Sequence, residues 1–507
     1  MIGVQDFYDP KLTPATLTAY LDPGWIPAPH LMLISAKVAT AVKKGNARLI
    51  VSVPPRHGKS RMLSIGSSIW TVERFPKYNV GICTYAATLS TDFSQAVRDQ
   101  IALNEDKLDV RIRQGSNRVD RFLTTGGGGV YAFGIGGTVI GRGFHVFFLD
   151  DYIKDLKEAN SPTFRQAIWD WYVTTTTTRL EPGASLIIVA TRWHDDDLIG
   201  RIIKQDEGIG DWEYIRIPAI AEKNDPVGRS PGQALFPERY NIEALNRIKR
   251  TMGSHYFSAI YQQDPRDDSS KLARKEWLRK LGAAEMPHPN TLTWGRFWDF
   301  ASLENAGDYT AGALIGANKG AATLYIKHIV REQLSPEGVN RLVKATAESD
   351  GRHVPIYIEQ EPGSSGAHTI NSFKNLLPDY NVIGVPVIKN KIVKGAGALA
   401  AAERGDLFMQ YGDWNTEFED EWDAFPSGDY DDQVDCVFTA YNELIGELDV
   451  SATWGREASP NGEVRGGVSG QQIVTGATWG RTNSGLVVPG RYSNAGVGAG
   501  TKRITIH

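Results

Sequence analysis

Residues 47 to 60 read ARLIVSVPPRHGKS, and this stretch decides the fold of the first half of the chain. Its opening, Ala47 to Val53, is a short apolar run that is typical of a buried strand. Pro54 to Ser60 is a turn-rich segment ending in Gly-Lys-Ser, and a helix-like segment follows. A strand, a loop and a helix in this order predict a phosphate-binding loop, because the loop amides and the helix N-terminus face an anion.

The residue types in the loop fit nucleotide chemistry. Lys59 can reach the β- and γ-phosphates, and the hydroxyl of Ser60 can bind Mg²⁺. The usual pattern has glycine at position 53, where this chain has Val53. Gly-Lys-Ser alone also arises by chance, so the prediction depends on companion motifs. The residues predicted to contact the nucleotide here are Pro55, Arg56, His57, Gly58, Lys59 and Ser60.

A companion motif occurs at residues 146–151, which read VFFLDD. An apolar strand that ends in two acids lets the first, Asp150, hold Mg²⁺ and the second, Asp151, polarise the attacking water. ATPases of this type usually have glutamate in the second position. The alternative is that the two acids cap the next helix. The occurrence of Lys59 in a loop after another strand makes this alternative less favoured.

Two further segments complete the predicted nucleotide site. Residues 187–198 form a strand that runs into an acidic turn, and the hydroxyl of Thr191 at the strand end can sense the γ-phosphate. The aspartates at 195–197 are equally well explained as a helix N-cap. Residues 134–143 are rich in glycine and contain Arg142, which is a candidate arginine finger together with Arg56.

The second half of the chain places carboxylates at the ends of predicted elements. Asp299 and Glu359 each end an apolar strand, and Asp431, Asp432 and Asp435 begin a helix-like stretch in which the last two share a face. Converging carboxylates can bind two Mg²⁺ or Mn²⁺ ions, which clamp the attacking and leaving oxygens of a phosphodiester. Each acid alone is more simply a solvated surface group. Their joint placement in a mixed sheet predicts a metal-dependent nuclease of the ribonuclease H type.

The length of 507 residues allows several domains. Strand-like and helix-like segments alternate up to about residue 220, which predicts a mainly parallel sheet. Three successive strands from Thr293 predict a mixed sheet. The predicted fold class is α/β, with a P-loop ATPase domain and helical lead-in at 1–220, a small subdomain and linker at 221–270, a ribonuclease H-like nuclease domain at 271–446 and a glycine-rich basic tail at 447–507.

The charge and the cysteine content exclude only a few classes of protein. The 55 basic and 59 acidic residues give a net charge of −4, which does not support a nucleic-acid partner. Residues 271–280 and 451–507 are locally basic, so the net charge does not exclude DNA either. The two cysteines, Cys83 and Cys436, exclude a disulfide framework and a multi-cysteine zinc site, and they favour a reducing compartment. Without an apolar leader or spanning segment, we expect a soluble protein.

Taken together, the chain resembles the large terminase subunit of tailed bacteriophages. This resemblance spans about residues 30–445 and implies an ATP-driven motor that moves double-stranded DNA into a procapsid and an endonuclease that cuts concatemeric DNA. The motifs that carry it are Pro54–Ser60, Phe148–Asp151, Ala190–Leu198, Tyr261–Pro265, Trp298-Asp299, Glu359 and Asp431–Asp435.

The resemblance also implies ligands and partners. MgATP is expected at Lys59, Ser60 and Asp150, with Asp151 in the position of the catalytic carboxylate. The nuclease metals, two Mg²⁺ or Mn²⁺ ions, are expected at Asp299, Glu359 and Asp432. The implied partners are double-stranded DNA, the portal protein, the small terminase subunit and further copies in a pentameric ring, with no membrane. The implied location is the host cytoplasm and, transiently, the portal vertex. Val53, Asp151 and the tail depart from the family pattern.

An alternative is an ATP-driven translocase whose C-terminal half binds DNA or the portal without cutting. Intact carboxylates at positions 299, 359 and 432 favour the nuclease, and Mn²⁺-dependent cleavage of a plasmid would separate the two. A helicase fits less well, because no further helicase-like motifs follow residue 200.

The tail yields a first prediction. Residues 451–507 contain 12 glycines and six basic side chains, a composition that suits a flexible docking arm better than a catalytic core. Removal of residues 448–507 should leave ATP hydrolysis and nuclease activity within about twofold of the full chain. Steady-state assays of both activities in solution check this, and loss of either would show that the tail packs into the fold.

Overall fold

A computed structural model describes residues 9–116, 118–137, 143–266, 272–300, 309–388 and 390–446. They contain two seven-stranded sheets, one in each half of the predicted catalytic region. The predicted α/β fold class, with a mainly parallel sheet in the first half and a mixed sheet in the second, is confirmed. The predicted boundaries at 220, 270 and 446 remain predictions. The predicted tail at 447–507 lies outside the described residues.

The first sheet has the order β3-β4-β2-β5-β6-β1-β7. All neighbours are parallel except the β3–β4 pair. The central strands are mainly apolar and buried, with β6 buried from Ala184 onward, as expected where helices cover both faces. The strands are β1 (Arg48–Ser52), β2 (Asn79–Thr84), β3 (Arg121–Leu123), β4 (Gly129–Gly134), β5 (Phe144–Asp150), β6 (Leu180–Ala190) and β7 (Glu213–Arg216).

The helix predicted directly after the phosphate-binding loop is not a plain α-helix. Arg61–Ser67 is π-helical, and the α-helix begins only at Ser68. Isolated π-helical turns often occur at functional sites. The α-helices of this half are α1 (Pro14–Leu21), α2 (Pro29–Lys44), α3 (Ser68–Arg74), α4 (Ala87–Leu103), α5 (Leu156–Ala159), α6 (Pro162–Trp171), α7 (Leu198–Asp206) and α8 (Ile242–Ile260).

The second sheet has the order β13-β12-β9-β10-β11-β14-β8. The three strands predicted from Thr293 onward form an antiparallel meander, and the outer strands on both sides add in parallel. The sheet is therefore mixed, as predicted. Its strands are β8 (Arg279–Leu281), β9 (Thr293–Asp299), β10 (Thr310–Asn318), β11 (Thr323–Glu332), β12 (Ile356–Gln360), β13 (Val382–Pro386) and β14 (Leu407–Gln410).

Helices cover both faces of this sheet and connect it to the first half. Its helices are α9 (Pro336–Asp350), α10 (Ser364–Leu376), α11 (Lys391–Arg404), α12 (Asn415–Ala424) and α13 (Asp432–Leu444). Helix α11 packs on α8, where the Ser254 amide donates to Glu403 at 2.9 Å and the Tyr256 hydroxyl donates to the Ile392 carbonyl at 3.1 Å. No helix in the described ranges is both long and apolar enough to cross a bilayer.

A buried ion pair fixes the strand that carries the predicted metal ligand Asp299. Arg296 in β9 binds Asp350 at the end of α9 through two hydrogen bonds, of 2.7 and 2.9 Å. A third donor of the same guanidinium bonds the Gly312 carbonyl in β10 at 2.9 Å. The Arg296 side chain is only 1% exposed, so this pair ties helix and sheet together away from solvent.

Loss of the Arg296 guanidinium should be costly for stability. Arg296→Met leaves the Asp350 carboxylate buried and unpaired, which is expected to lower the free energy of unfolding by about 3–5 kcal/mol. Arg352→Met is the matched control, because it breaks an exposed Arg352–Asp379 pair of 3.1 Å. The control should cost less than about 1 kcal/mol. Urea denaturation of the full chain measures both, and equal costs would contradict the structural role.

Candidate functional site

Lys59 lies where three strands of the first sheet end side by side. Its ammonium donates to the Thr191 hydroxyl at 2.7 Å and forms an ion pair with Asp151 at 2.8 Å. The strand β1 leads into the loop, β5 ends at Asp150, and β6 ends one residue before Thr191. These strands are parallel neighbours, so their carboxyl ends meet at one edge of the sheet. The structure thus assembles the residues that the sequence predicted for phosphate binding.

Asp150 is the buried acid of this edge, with 1% of its surface exposed. The Ser64 hydroxyl donates to its Oδ2 at 2.6 Å, and Ser60 also hydrogen-bonds to it. Burial, and then the charge of Asp151, raise the pKa of Asp150 to about 7 against the opposing effect of Lys59. Its Oδ1 has no hydrogen-bond partner among the described residues. A buried carboxylate oxygen beside a serine hydroxyl fits the Mg²⁺ of a bound nucleotide.

Two buried histidines form hydrogen bonds with backbone carbonyls of the phosphate-binding loop. His57 Nδ1 donates to the Pro55 carbonyl at 2.7 Å, and His30 Nε2 donates to the His57 carbonyl at 2.8 Å. Burial lowers the pKa of His57 to about 3 and that of His30 to about 4, so both rings are neutral. Arg56 and Gly58 have φ of 62° and 84°, a left-handed conformation that glycine adopts without strain. The neutral His57 side chain therefore supports the loop from within the protein interior.

The segment after Thr191 is locked by a buried ion pair. Arg192 Nε donates to Asp197 Oδ2 at 2.8 Å, and Asp197 Oδ1 caps α7 by accepting from the Gly200 amide at 2.9 Å. The cap was one of the two explanations that the sequence left open for this turn. The Arg192 amide donates to the side chain of Gln263 at 2.9 Å. The end of β6 is therefore bonded to the junction that leads into the second half.

The two candidate arginine fingers remain predictions. Arg56 is exposed at the loop, and its carbonyl accepts from Arg239 Nη1 at 3.1 Å. Arg142 lies outside the described residues.

The second sheet brings its predicted acids together. Asp299 and Glu359 each follow one residue after the register partners Trp298 and Ile358 of the parallel strands β9 and β12. Asp432 and Asp435 lie in the first turn of α13. Burial, and then the charges of Asp435, Glu359 and Asp432, raise the pKa of Asp299 well above its usual range. The predicted acids therefore form one cluster at the carboxyl ends of two strands.

Two lysines of α11 lie among these acids. Lys394 forms an ion pair with Glu359 and lies 3.5 Å from Asp435. Lys391, one turn earlier, lies 2.5 Å from Asp431 and 3.4 Å from Asp435. The sequence prediction included neither lysine.

The chemistry of the cluster suits hard divalent cations, because its donors are carboxylate oxygens. Asp435 is 5% exposed, and its Oδ1 has no hydrogen-bond partner within the described ranges. In the part of the chain that the structure describes, no group of three or more Asp, Glu, His or Cys side chains is arranged closely enough to hold a metal ion. The carboxylate oxygens are ligands that suit Mg²⁺ or Mn²⁺. In this structure, however, the ammonium groups of Lys391 and Lys394 pair with the same carboxylates.

Comparison with known proteins identifies the first half of the chain. Residues 50–257 match the family described as "Terminase large subunit, T4likevirus-type, N-terminal", which is less than half of the sequence. The matched range contains the loop at Pro54–Ser60, the acids Asp150 and Asp151, and Thr191. Among curated proteins, none matches this sequence.

Several solved structures share similarity with the chain. The large terminase of the thermophilic bacteriophage D6E is 12% identical over 80% of this chain and 95% of its own, with a TM-score of 0.46. The HK97 bacteriophage large terminase is 12% identical over 74% and 84%, with a TM-score of 0.31. The large terminase nuclease of the thermophilic phage G20c is 16% identical over 34% and 96%, with a TM-score of 0.26.

In a parallel sheet, a phosphate-binding loop after β1, a threonine after the neighbouring β6 and two acids at the end of the next strand, β5, are typical of a P-loop ATPase domain. Residues 50–257 thus match the family of N-terminal domains of large terminase subunits, and the resemblance predicted from the sequence is confirmed. Large terminase subunits are in general DNA-packaging ATPases and nucleases.

Ser64 generates a prediction about pH. Asp150 must be deprotonated to bind Mg²⁺, so Mg²⁺-dependent nucleotide affinity should rise as pH rises through about 7. Ser64→Ala removes a hydrogen bond to the charged form, which should move the midpoint upward by roughly one pH unit. Nucleotide binding measured from about pH 6 to about pH 8 checks this.

Ser68→Ala is the matched control, because the Ser68 hydroxyl is buried in the next turn and bonds the Ser64 carbonyl at 2.7 Å. Its midpoint should remain that of the unmodified chain. An unchanged midpoint in Ser64→Ala would show that this hydrogen bond does not control the charge of Asp150.

Proposed function

We propose that this protein is an ATP-driven motor that moves double-stranded viral DNA into a procapsid and cuts concatemeric DNA with a two-metal endonuclease. The observation that carries the ATPase part is the position of Lys59 between Thr191 and Asp151, beside the buried Asp150. The cluster of Asp299, Glu359 and Asp435 supports the nuclease part. Each half has acids at the carboxyl ends of parallel strands and a cation placed against them.

In the proposed ATPase, Lys59 binds the β- and γ-phosphates, which compete with Asp151 for its ammonium. Ser60 and Asp150 would hold Mg²⁺, which neutralises charge that develops on the phosphates. Asp151, released from Lys59, orients the attacking water. Thr191 contacts Lys59 directly and is joined through Arg192 to Gln263, so movement at the phosphates is transmitted toward the second half. Solved structures of the D6E large terminase contain ADP or ATP-γ-S.

In the proposed nuclease, Asp299, Glu359, Asp432 and Asp435 would hold the metal ions. Bound metal would activate water and stabilise the leaving oxygen of the phosphodiester. The Thr439 hydroxyl donates to Glu359 Oε1 at 2.6 Å and orients that carboxylate.

The partners follow from the proposed motor. They are double-stranded DNA, the portal protein, the small terminase subunit and further copies of this chain in a pentameric ring. The proposed location is the host cytoplasm, with transient docking at the portal vertex of the procapsid. The alternative of a translocase that binds DNA without cutting draws support from the two lysines that neutralise the acid cluster.

Lys59→Ala tests the motor. Loss of its charge removes electrostatic stabilisation at the phosphates, so ATP hydrolysis should fall at least about 100-fold. Nuclease activity should persist, because the second site lies on the other sheet. Lys37→Ala is the control, since Lys37 pairs with Glu213 at 2.6 Å on the same domain. Normal turnover in Lys59→Ala would refute the nucleotide site.

Asp299→Asn is the reciprocal test. It should abolish Mn²⁺-dependent plasmid cleavage and leave ATP hydrolysis intact, whereas Asp379→Asn, at an exposed pair, should preserve both activities. If the unmodified chain hydrolyses ATP but does not cleave DNA at millimolar Mn²⁺, the translocase without nuclease activity is correct.

A further inference from the structure

Lys394 is an unusual neighbour for a predicted metal site. Its side chain is only 4% exposed, and its ammonium contacts Glu359 and lies 3.5 Å from Asp435. Lysine ammonium groups are rarely buried unless they are paired with acids. Here the acids that pair with it are the same ones that a divalent cation would use.

The backbone of Lys394 is fixed by close helix packing. A side-chain carbon at Gly395 would lie 2.5 Å from Phe438, and one at Gly397 would lie 2.2 Å from Tyr441. Only glycine therefore allows α11 to approach α13 this closely. The Asn442 side chain also donates to the Lys394 carbonyl at 3.0 Å. The backbone position of Lys394 is therefore fixed, and its side chain extends from α11 into the acid cluster.

Electrostatics explains why a cation is needed at this position. The acids of β9, β12 and α13 repel one another, and this repulsion contributes to the raised pKa of Asp299. Lys394 acts in the opposite direction on Asp299 and on Asp435. A positive charge held against these carboxylates also disfavours a second cation nearby.

We propose that Lys394 is a built-in counter-cation that competes with divalent metal for Glu359 and Asp435. It is a positioning residue that keeps the acids together and sets the metal concentration at which the site fills. A metal ion that uses these oxygens must displace the ammonium or accept fewer ligands. This inference rests on the proposed metal site and adds a limit on its occupancy.

Lys394→Met tests the inference by removing the charge while retaining most of the side-chain volume. We expect the full-length variant to bind Mn²⁺ at least about tenfold more tightly than the unmodified chain in calorimetric titration. Without metal it should melt at a lower temperature, because Glu359 and Asp435 lose their partner. Added Mn²⁺ should raise its melting temperature more than that of the unmodified chain. Lys394→Arg, which keeps the charge, should restore weak binding.

Lys280→Met is the matched control, because Lys280 pairs with Glu419 at 2.8 Å in the same half but away from the cluster. The Mn²⁺ affinity of this control should be unchanged. Any Mn²⁺ that binds at the phosphate-binding loop of the first sheet contributes equally to both variants, so it does not affect the comparison. If Lys394→Met does not fold, Lys391→Met decides. Lys391 is more exposed and lies 3.4 Å from Asp435, so about threefold tighter binding is expected.

The outcomes separate the two proposals. If neither the unmodified chain nor the variants bind Mn²⁺ at millimolar concentration, the proposed metal site itself is wrong. If the unmodified chain binds Mn²⁺ and the folded variant binds no more tightly, Lys394 has only a structural role and this inference is overturned.

Discussion

Like charges that are buried together need a cation, and both halves of this protein meet that requirement with a lysine. In the first sheet, Lys59 lies 2.8 Å from Asp151 and moderates the raised pKa of Asp150. In the second, Lys394 pairs with Glu359 and moderates the raised pKa of Asp299. Without these charges, the acids at the strand ends would repel or take up protons. The strand order and the loop place Lys59 against the first group of acids, and the packing of α11 places Lys394 and Lys391 against the second.

The two halves are joined by more than the chain. Helix α11, which carries Lys394, packs on α8, where Gly253 has a φ of 79° that interrupts the helix. A side-chain carbon at Gly253 would lie 3.3 Å from Ala400, so the absence of a side chain there permits close packing of α8 on α11. Gln263, just after α8, accepts a hydrogen bond from Arg192 beside Thr191. The residues next to the phosphate-binding loop and those next to the acid cluster of the second sheet are thus attached to one connecting segment.

Much of the fold could be predicted because its signals are local. The apolar run before Pro54 predicted β1, the run ending in Asp150 predicted β5, and the three strands from Thr293 matched the meander of the second sheet. Short or weakly apolar strands such as β3, β7 and β8 gave no clear pattern, since edge strands need little burial. The π-helical turn at Arg61–Ser67 was also missed, because its hydrogen-bond spacing leaves no periodic signal distinct from an α-helix.

The sequence by itself determined the two sheets, the loop, and the acids at the strand ends, because the chemistry of these residues follows from their place next to apolar runs. Only the tertiary structure decided that Ser64 faces Asp150 and that Lys394 faces Glu359. Ser64 reaches Asp150 across 86 residues, and Lys394 reaches Glu359 across 35. A buried lysine and a surface lysine look the same in a sequence. Their difference arises only when packing, here that of α11 against α13, removes water from one of them.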